Sequence, residues 1–352
     1  MHSRSRLHQL AFFLSFLSFL SFVAQAEQAV SKTPEEIRAS FLKIVDRPRV
    51  PLAPDVQVQP AENGVIREHF TYASDAAQRV PGILIKPANG EGRLPVVILV
   101  HGTSSTKESN LGNMKHLAAK GIIGVAIDGR YHGERTKEGK GDAEYCEAIH
   151  AAWKSGAEHP LYFDTVWDLM RLIDYLETRP DVDPKRIGIQ GFSKGGIETF
   201  LVSAIDTRIA VSVPCIGVQS FKWGLENGAW KARVGTFYKA IAAIAKDENT
   251  EITAEFAKKF YDRMIPGIDG DFDGPSMLTL ISPRPLFVIN GDMDDKTPVP
   301  SVQVAADAAT KAYHAANADE KFRLKIQEKT GHAVTKESQE EVYDWFVKWL
   351  KP

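Results

Sequence analysis

Five short runs constrain the fold most: VVILV (96–100), IIGVAI (122–127), RIGIQG (186–191), IAVSV (209–213) and PLFVIN (285–290). They are apolar at almost every position. A strand with one face in water alternates apolar and polar residues, whereas a strand covered on both faces does not. Helix-like segments lie between the runs. In DTVWDLMRLIDYLETRP, Val166, Leu169, Met170, Ile173 and Leu176 form one apolar stripe. NLGNMKHLAAKG ends at a capping glycine, and SQEEVYDWFVKWL closes the chain. Strand, helix, strand, helix with such strands predicts an α/β fold, a mostly parallel, doubly wound sheet with helices on both faces.

The 352 residues, 43% hydrophobic, suffice for one large domain of this kind. VIREHFTYAS and RVPGILIKPA read as an antiparallel pair leading into it. Before them, TPEEIRASFLKIV has a Thr33 cap, Pro34 in the first turn and Glu36 three after the cap, which predicts a helix. A proline-rich extended arm follows. Residues 27–63 are therefore read as helix plus arm, and 64–352 as the main domain. About 65 residues separate IAVSVPC from PLFVIN, too many for an ordinary crossover. KARVGTFYKAIAAIAKD and TAEFAKKFYDRMI within them look helical, so residues 217–281 are expected to form a cap over one end of the sheet.

Residues 1–26 stand apart. Arg4 and Arg6 precede the apolar LAFFLSFLSFLSFVA, and Ala24-Gln25-Ala26 is a small-x-small cleavage site. The run is too short and serine-rich for a spanning helix. A signal peptide is expected, with the mature chain secreted or periplasmic and without a membrane partner. Cleavage removes two basic residues and no acid, leaving 41 basic against 45 acidic. That balance gives no footprint for nucleic acid. Cys146 and Cys215 are read either as a bridge, which export permits, or as two buried thiols. No metal or other cofactor is expected. Asp269, Asp271 and Asp273 in GIDGDFDGP begin like a calcium loop, but position 12 is Leu280 where a bidentate glutamate is required. No zinc spacing appears.

The chemistry centres on IGIQGFSKGG. Gly191-Phe192-Ser193-Lys194-Gly195 is a G-x-S-x-G pattern after an apolar strand and before a helix. A serine on so sharp a turn needs neighbours without side chains on either side. A serine hydroxyl needs a base. His332, in a loop after FRLKIQE and before the last helix, follows both Ser193 and the acidic turn NGDMDDKTP. That turn offers Asp292, Asp294 and Asp295 as the acid. His132, in DGRYHGERT, is read as a packed histidine.

LVHG, AIDGRYHGER, GFSKGG, GDMDDKTP and TGHAVTKES, in this order, resemble the α/β-hydrolases of the dienelactone hydrolase and prolyl oligopeptidase catalytic-domain group, over about residues 64–352. The resemblance implies a Ser193–His332–Asp294 triad, since the family's acid falls three after the Gly (Gly291) and four before the Pro (Pro298). Asp292 and Asp295 then serve as turn formers, with Asp295 the fallback for the acid. It also implies an oxyanion hole from the N–H of Lys194 and that of Thr103, with Ser104 the other candidate for the second donor. The leading expectation is a serine esterase acting on small-molecule or carbohydrate-linked carboxylic esters, acetyl and feruloyl esters among them. A prolyl-oligopeptidase-type peptidase is the alternative, against which stands the short segment before the core. A non-catalytic binding protein on the same fold is the third. Trp223, Trp230 and Phe237 are candidates for an aromatic pocket or for cap core.

Overall fold

In the computed structural model, which describes residues 32–137, 139 and 141–351, the five apolar runs lie side by side. They form β4 (Leu94–Val100), β5 (Ile123–Ile127), β6 (Val182–Phe192), β7 (Ile209–Cys215) and β8 (Leu286–Gly291). With β1 (Asp55–Val58), β2 (Val65–Ala73), β3 (Arg79–Pro87) and β9 (Phe322–Gln327), the described residues make one nine-stranded sheet, ordered β1-β2-β3-β5-β4-β6-β7-β8-β9. The β1–β2, β2–β3 and β3–β5 pairs are antiparallel and the rest parallel. The fold is that of an α/β-hydrolase.

The uninterrupted apolar runs have a direct cause. Along β4, Val96, Ile98 and Val100 enter a core on one face of the sheet, and Val97 and Leu99 enter a core on the other. Successive side chains of a strand point to opposite faces, so both sets must be apolar. The second face is covered by α2 (Leu111–Ala119) and α12 (Lys336–Leu350), through Met114, Leu117, Val342 and Phe346. The first is covered by α1 (Pro34–Val45), α3 (Asp142–Ser155), α4 (Phe163–Thr178), α5 (Lys194–Ile205), α10 (Gly274–Ile281) and α11 (Val299–Ala315).

The start of α1 is a capping box. The Glu36 N–H donates to Thr33 Oγ1 at 3.2 Å, and the Thr33 N–H donates to Glu36 Oε2 at 2.8 Å. Phe41 anchors this helix, edge-on to Phe163 at 4.9 Å and tilted on Phe272 at 4.8 Å. The arm after it carries β1, a strand the composition does not announce. Between β7 and β8 run α6 (Phe221–Glu226), α7 (Trp230–Val234), α8 (Tyr238–Asp247), α9 (Ala254–Met264) and α10. The single helix expected over KARVGTFYKAIAAIAKD is broken at Gly235–Phe237 into α7 and α8. The expected signal segment lies outside the described residues. Among the described residues, no helix is long and apolar enough to cross a membrane. Cys146 and Cys215 are both free thiols, so the bridge reading is corrected; only Cys215 is fully buried.

Candidate active site

The parallel strands all present their carboxyl ends to one edge of the sheet, where ligands of open α/β folds bind. Ser193 follows β6, the acidic turn follows β8, His332 follows β9, and Gly102-Thr103 follow β4.

Ser193 sits at φ 55°, ψ −114°, a strained conformation for a non-glycine residue. Its neighbours explain why the turn holds. A Cβ on Gly191 would lie 2.1 Å from the Gly195 carbonyl oxygen, and one on Gly195 would lie 2.4 Å from that of Val100. Only glycine permits both approaches. The Ser193 N–H donates to the Cys215 carbonyl at 3.0 Å, tying the turn to the end of β7.

Ser193 Oγ lies 2.7 Å from His332 Nε2, and His332 Nδ1 lies 2.8 and 2.9 Å from the two carboxyl oxygens of Asp294. An ionised carboxylate only accepts, so Nδ1 carries the proton and Nε2 is free to accept from the serine hydroxyl. Asp294 is only 4% exposed. Burial pushes its carboxyl up, but hydrogen bonds from His332, Thr297 and the Lys296 N–H outweigh this and hold it below the usual range. The Thr297 hydroxyl donates at 2.6 Å, and the N–H groups of Lys296 and Thr297 donate at 2.8 and 3.1 Å. Arg233 of α7 reaches this turn from the other side, donating to the Lys296 carbonyl and to Gln219 Oε1 at 3.2 Å each.

The other two aspartates differ from each other. Asp295 is exposed and pairs with Lys296 at 3.4 Å. Asp292 instead accepts the N–H groups of Lys329 and Thr330, each at 2.9 Å, across to the loop that bears His332. The family resemblance implies turn formers at both positions.

Lys194 opens α5, and its N–H points from the helix terminus without a hydrogen-bond partner among the described residues. Its ammonium is buried and paired with Glu198 Oε1 at 2.8 Å. The side-chain charge is thus answered within the helix. The Thr103 N–H likewise has no partner among the described residues. Ser104 is left-handed at φ 64°, and its hydroxyl donates to Asp142 at the start of α3. Behind this loop His101 is buried: Nε2 accepts the Gly129 N–H at 2.9 Å and Nδ1 donates to the Gly102 carbonyl at 2.8 Å. Burial and the Lys194 charge hold its imidazole well below the usual range, hence neutral.

His132 is packed inside and bonded to the Arg130 carbonyl at 2.7 Å; burial and Lys194 push it down to about 3. Trp230 and Phe237 are buried, with Phe237 stacked on Phe260 at 5.5 Å, and Trp223 is half-buried. In GIDGDFDGP, Asp269 pairs with Lys258, Asp271 with Lys32, and Asp273 turns inward to cap α10. Three aspartates with three separate partners do not converge on one point.

The arrangement is a hydroxyl, an imidazole and a buried carboxylate in hydrogen-bonded series. That is the equipment for acyl transfer.

Known proteins agree in kind. YtaP of Bacillus subtilis, named as a hydrolase, is 23% identical over 309 residues, covering 84% of this chain and 91% of its own. A 4-O-methyl-glucuronoyl methylesterase of Neurospora crassa is 25% identical over 244 residues. That match covers 69% of this chain and 55% of the fungal one, so the chain spans about half the length of that relative. Among solved structures, acetyl xylan esterase 1 of Thermoanaerobacterium superposes with a TM-score of 0.65 at 18% identity, over 90% of this chain and 93% of that one. The family model described as glucuronyl esterase, fungi, matches residues 78–317, more than half of the chain. The chain belongs to the glucuronyl esterase family and is an ester hydrolase of the α/β-hydrolase fold.

Proposed function

We propose that this protein is an exported carbohydrate esterase that works through Ser193, His332 and Asp294 by an acyl-enzyme. The carrying observation is the hydrogen-bonded series from Ser193 Oγ through His332 to buried Asp294. Ser193 Oγ attacks the ester carbonyl as its proton passes to His332 Nε2. The N–H groups of Lys194 and Thr103 hold the resulting oxyanion; each such donor is worth about 3–4 kcal/mol in related chemistry. His332 returns the proton to the departing alcohol, leaving Ser193 acylated. Water then repeats the sequence and frees the acid. Asp294 stays ionised throughout, fixing the tautomer and stabilising the imidazolium.

Membership in the glucuronyl esterase family supports uronoyl esters as the first substrate class to examine, with acetylated xylan second. The N-terminal Arg4–Ala26 pattern supports export. The test compares turnover of a methyl glucuronate glycoside, acetylated xylan, p-nitrophenyl acetate and a dipeptidyl p-nitroanilide. Turnover of an ester with none of the anilide is the expected result. Faster cleavage of the anilide would overturn the esterase reading.

A further inference from the structure

We propose that Asp292 is a positioning residue for His332, a carboxylate clamp that holds the base-bearing loop in register with the acid-bearing turn. The proposal rests on the triad reading given above.

The two loops come from different strands, 38 residues apart in sequence at their reacting groups, yet they are joined at several points. The Asp292 N–H donates to the Gln327 carbonyl at 3.0 Å, and the Met293 N–H donates to the Thr330 carbonyl at 2.9 Å. Asp292 adds two bonds of its own. Oδ1 accepts the Thr330 N–H and Oδ2 accepts the Lys329 N–H, both at 2.9 Å. Those N–H groups hold its carboxyl below the usual range, so the clamp is charged. The gripped residues are the ones whose placement is hardest to maintain. Lys329 is left-handed at φ 51°, and Thr330-Gly331 lead directly to His332.

The carboxylate adds to those main-chain bonds at the entry of the loop. On its far side, Gln327 Nε2 donates to the Ala333 carbonyl, and the Thr335 N–H donates to Gln327 Oε1. Gln327 therefore braces the exit of the loop and Asp292 its entry. Without the Asp292 carboxylate, two amide groups lose their charged acceptor, and the loop, left with its main-chain bonds, can draw back from the turn. His332 Nδ1 faces Asp294, two residues from Asp292, so any such retreat lengthens the His332–Asp294 bond before it affects the core. Misplacement of a reacting group by about 1 Å is sufficient for a rate loss of about a hundredfold.

The experiment measures kcat and KM on p-nitrophenyl acetate, the rate of fluorophosphonate labelling and the melting temperature. It compares wild type with Asp292→Ala, Asp292→Asn, Asp295→Asn and His332→Ala. The expected result for Asp292→Ala is a kcat and labelling rate lower by about ten- to a hundredfold, with KM within about threefold and full final labelling. Asp292→Asn, which keeps one acceptor oxygen, should fall between. Asp295→Asn should match wild type. An unchanged labelling rate in Asp292→Ala overturns the proposal. So does an incomplete final labelling at wild-type rate with a lowered melting temperature, which marks a stability effect alone. His332→Ala separates the levels: if it too labels at wild-type rate, the triad reading fails rather than the clamp.

Discussion

Asp294→Asn tests the acid of the triad with almost no change in shape. In the wild type, Oδ1 of Asp294 accepts the N–H groups of Lys296 and Thr297, and Oδ2 accepts the Thr297 hydroxyl. An asparagine that keeps its oxygen on the two backbone donors puts its NH2 at the Oδ2 position, 2.8 Å from His332 Nδ1. That NH2 donates to Nδ1. The imidazole is then held in the other tautomer, with its proton on Nε2 pointing at Ser193 Oγ, unable to accept. In serine-protease triads the same change lowers kcat about 10⁴-fold, equivalent to about 5 kcal/mol of transition-state stabilisation. The stability change should be far smaller, about 1 kcal/mol for one altered hydrogen bond. The assay is kcat and KM on p-nitrophenyl acetate beside a thermal melt. The expected result is a kcat loss of at least about a thousandfold, with KM and melting temperature little changed. A variant within tenfold of wild type would refute the assignment of Asp294.

A Cβ on Gly291 would lie 2.1 Å from the Thr330 carbonyl oxygen and 2.3 Å from that of Gly331, so Gly291→Ala should push the two loops apart and lower kcat by at least about tenfold; kinetics at wild-type level would contradict this. Burial pushes Asp273 up to about 6 despite bonds from Ser220 and three backbone N–H groups. A carboxyl raised in the folded state favours folding as it protonates, so this contribution grows as pH falls through 6 and is complete below about 4. The melting temperature of wild type minus that of Asp273→Asn should accordingly rise between pH 7.5 and 5, and a pH-independent difference would count against it. Phe41 is fully buried between Phe163 and Phe272; Phe41→Ala should destabilise by about 3–5 kcal/mol in urea unfolding, and a loss under 1 kcal/mol would mean α1 is not part of the core.

Legibility in the sequence followed burial. β4 to β8 announce themselves because each is covered on both faces. β1 does not: all four of its residues are exposed, and prolines flank it. α3 was not anticipated, because DAEYCEAIHAAWKS mixes polar residues into its buried face, Glu144 among them. At the site, Ser193 and His332 were visible through a turn that demands glycines and through order along the chain. Asp294 was distinguishable from its neighbours only through family spacing. Asp292 was legible as a candidate acid and a turn former, but not as a link to the other loop. Its partners are backbone N–H groups of Lys329 and Thr330, and main-chain donors leave no mark in side-chain identity. The same holds for the loop after β4, where Ser104 takes a left-handed conformation beside Asp142.

The most direct test of the central claim is intact-mass and peptide analysis after reaction with a fluorophosphonate. The account predicts one adduct per chain, mapped to Ser193, with none in Ser193→Ala and a much slower reaction in His332→Ala. An adduct on another residue, or undiminished labelling of folded Ser193→Ala, would contradict it.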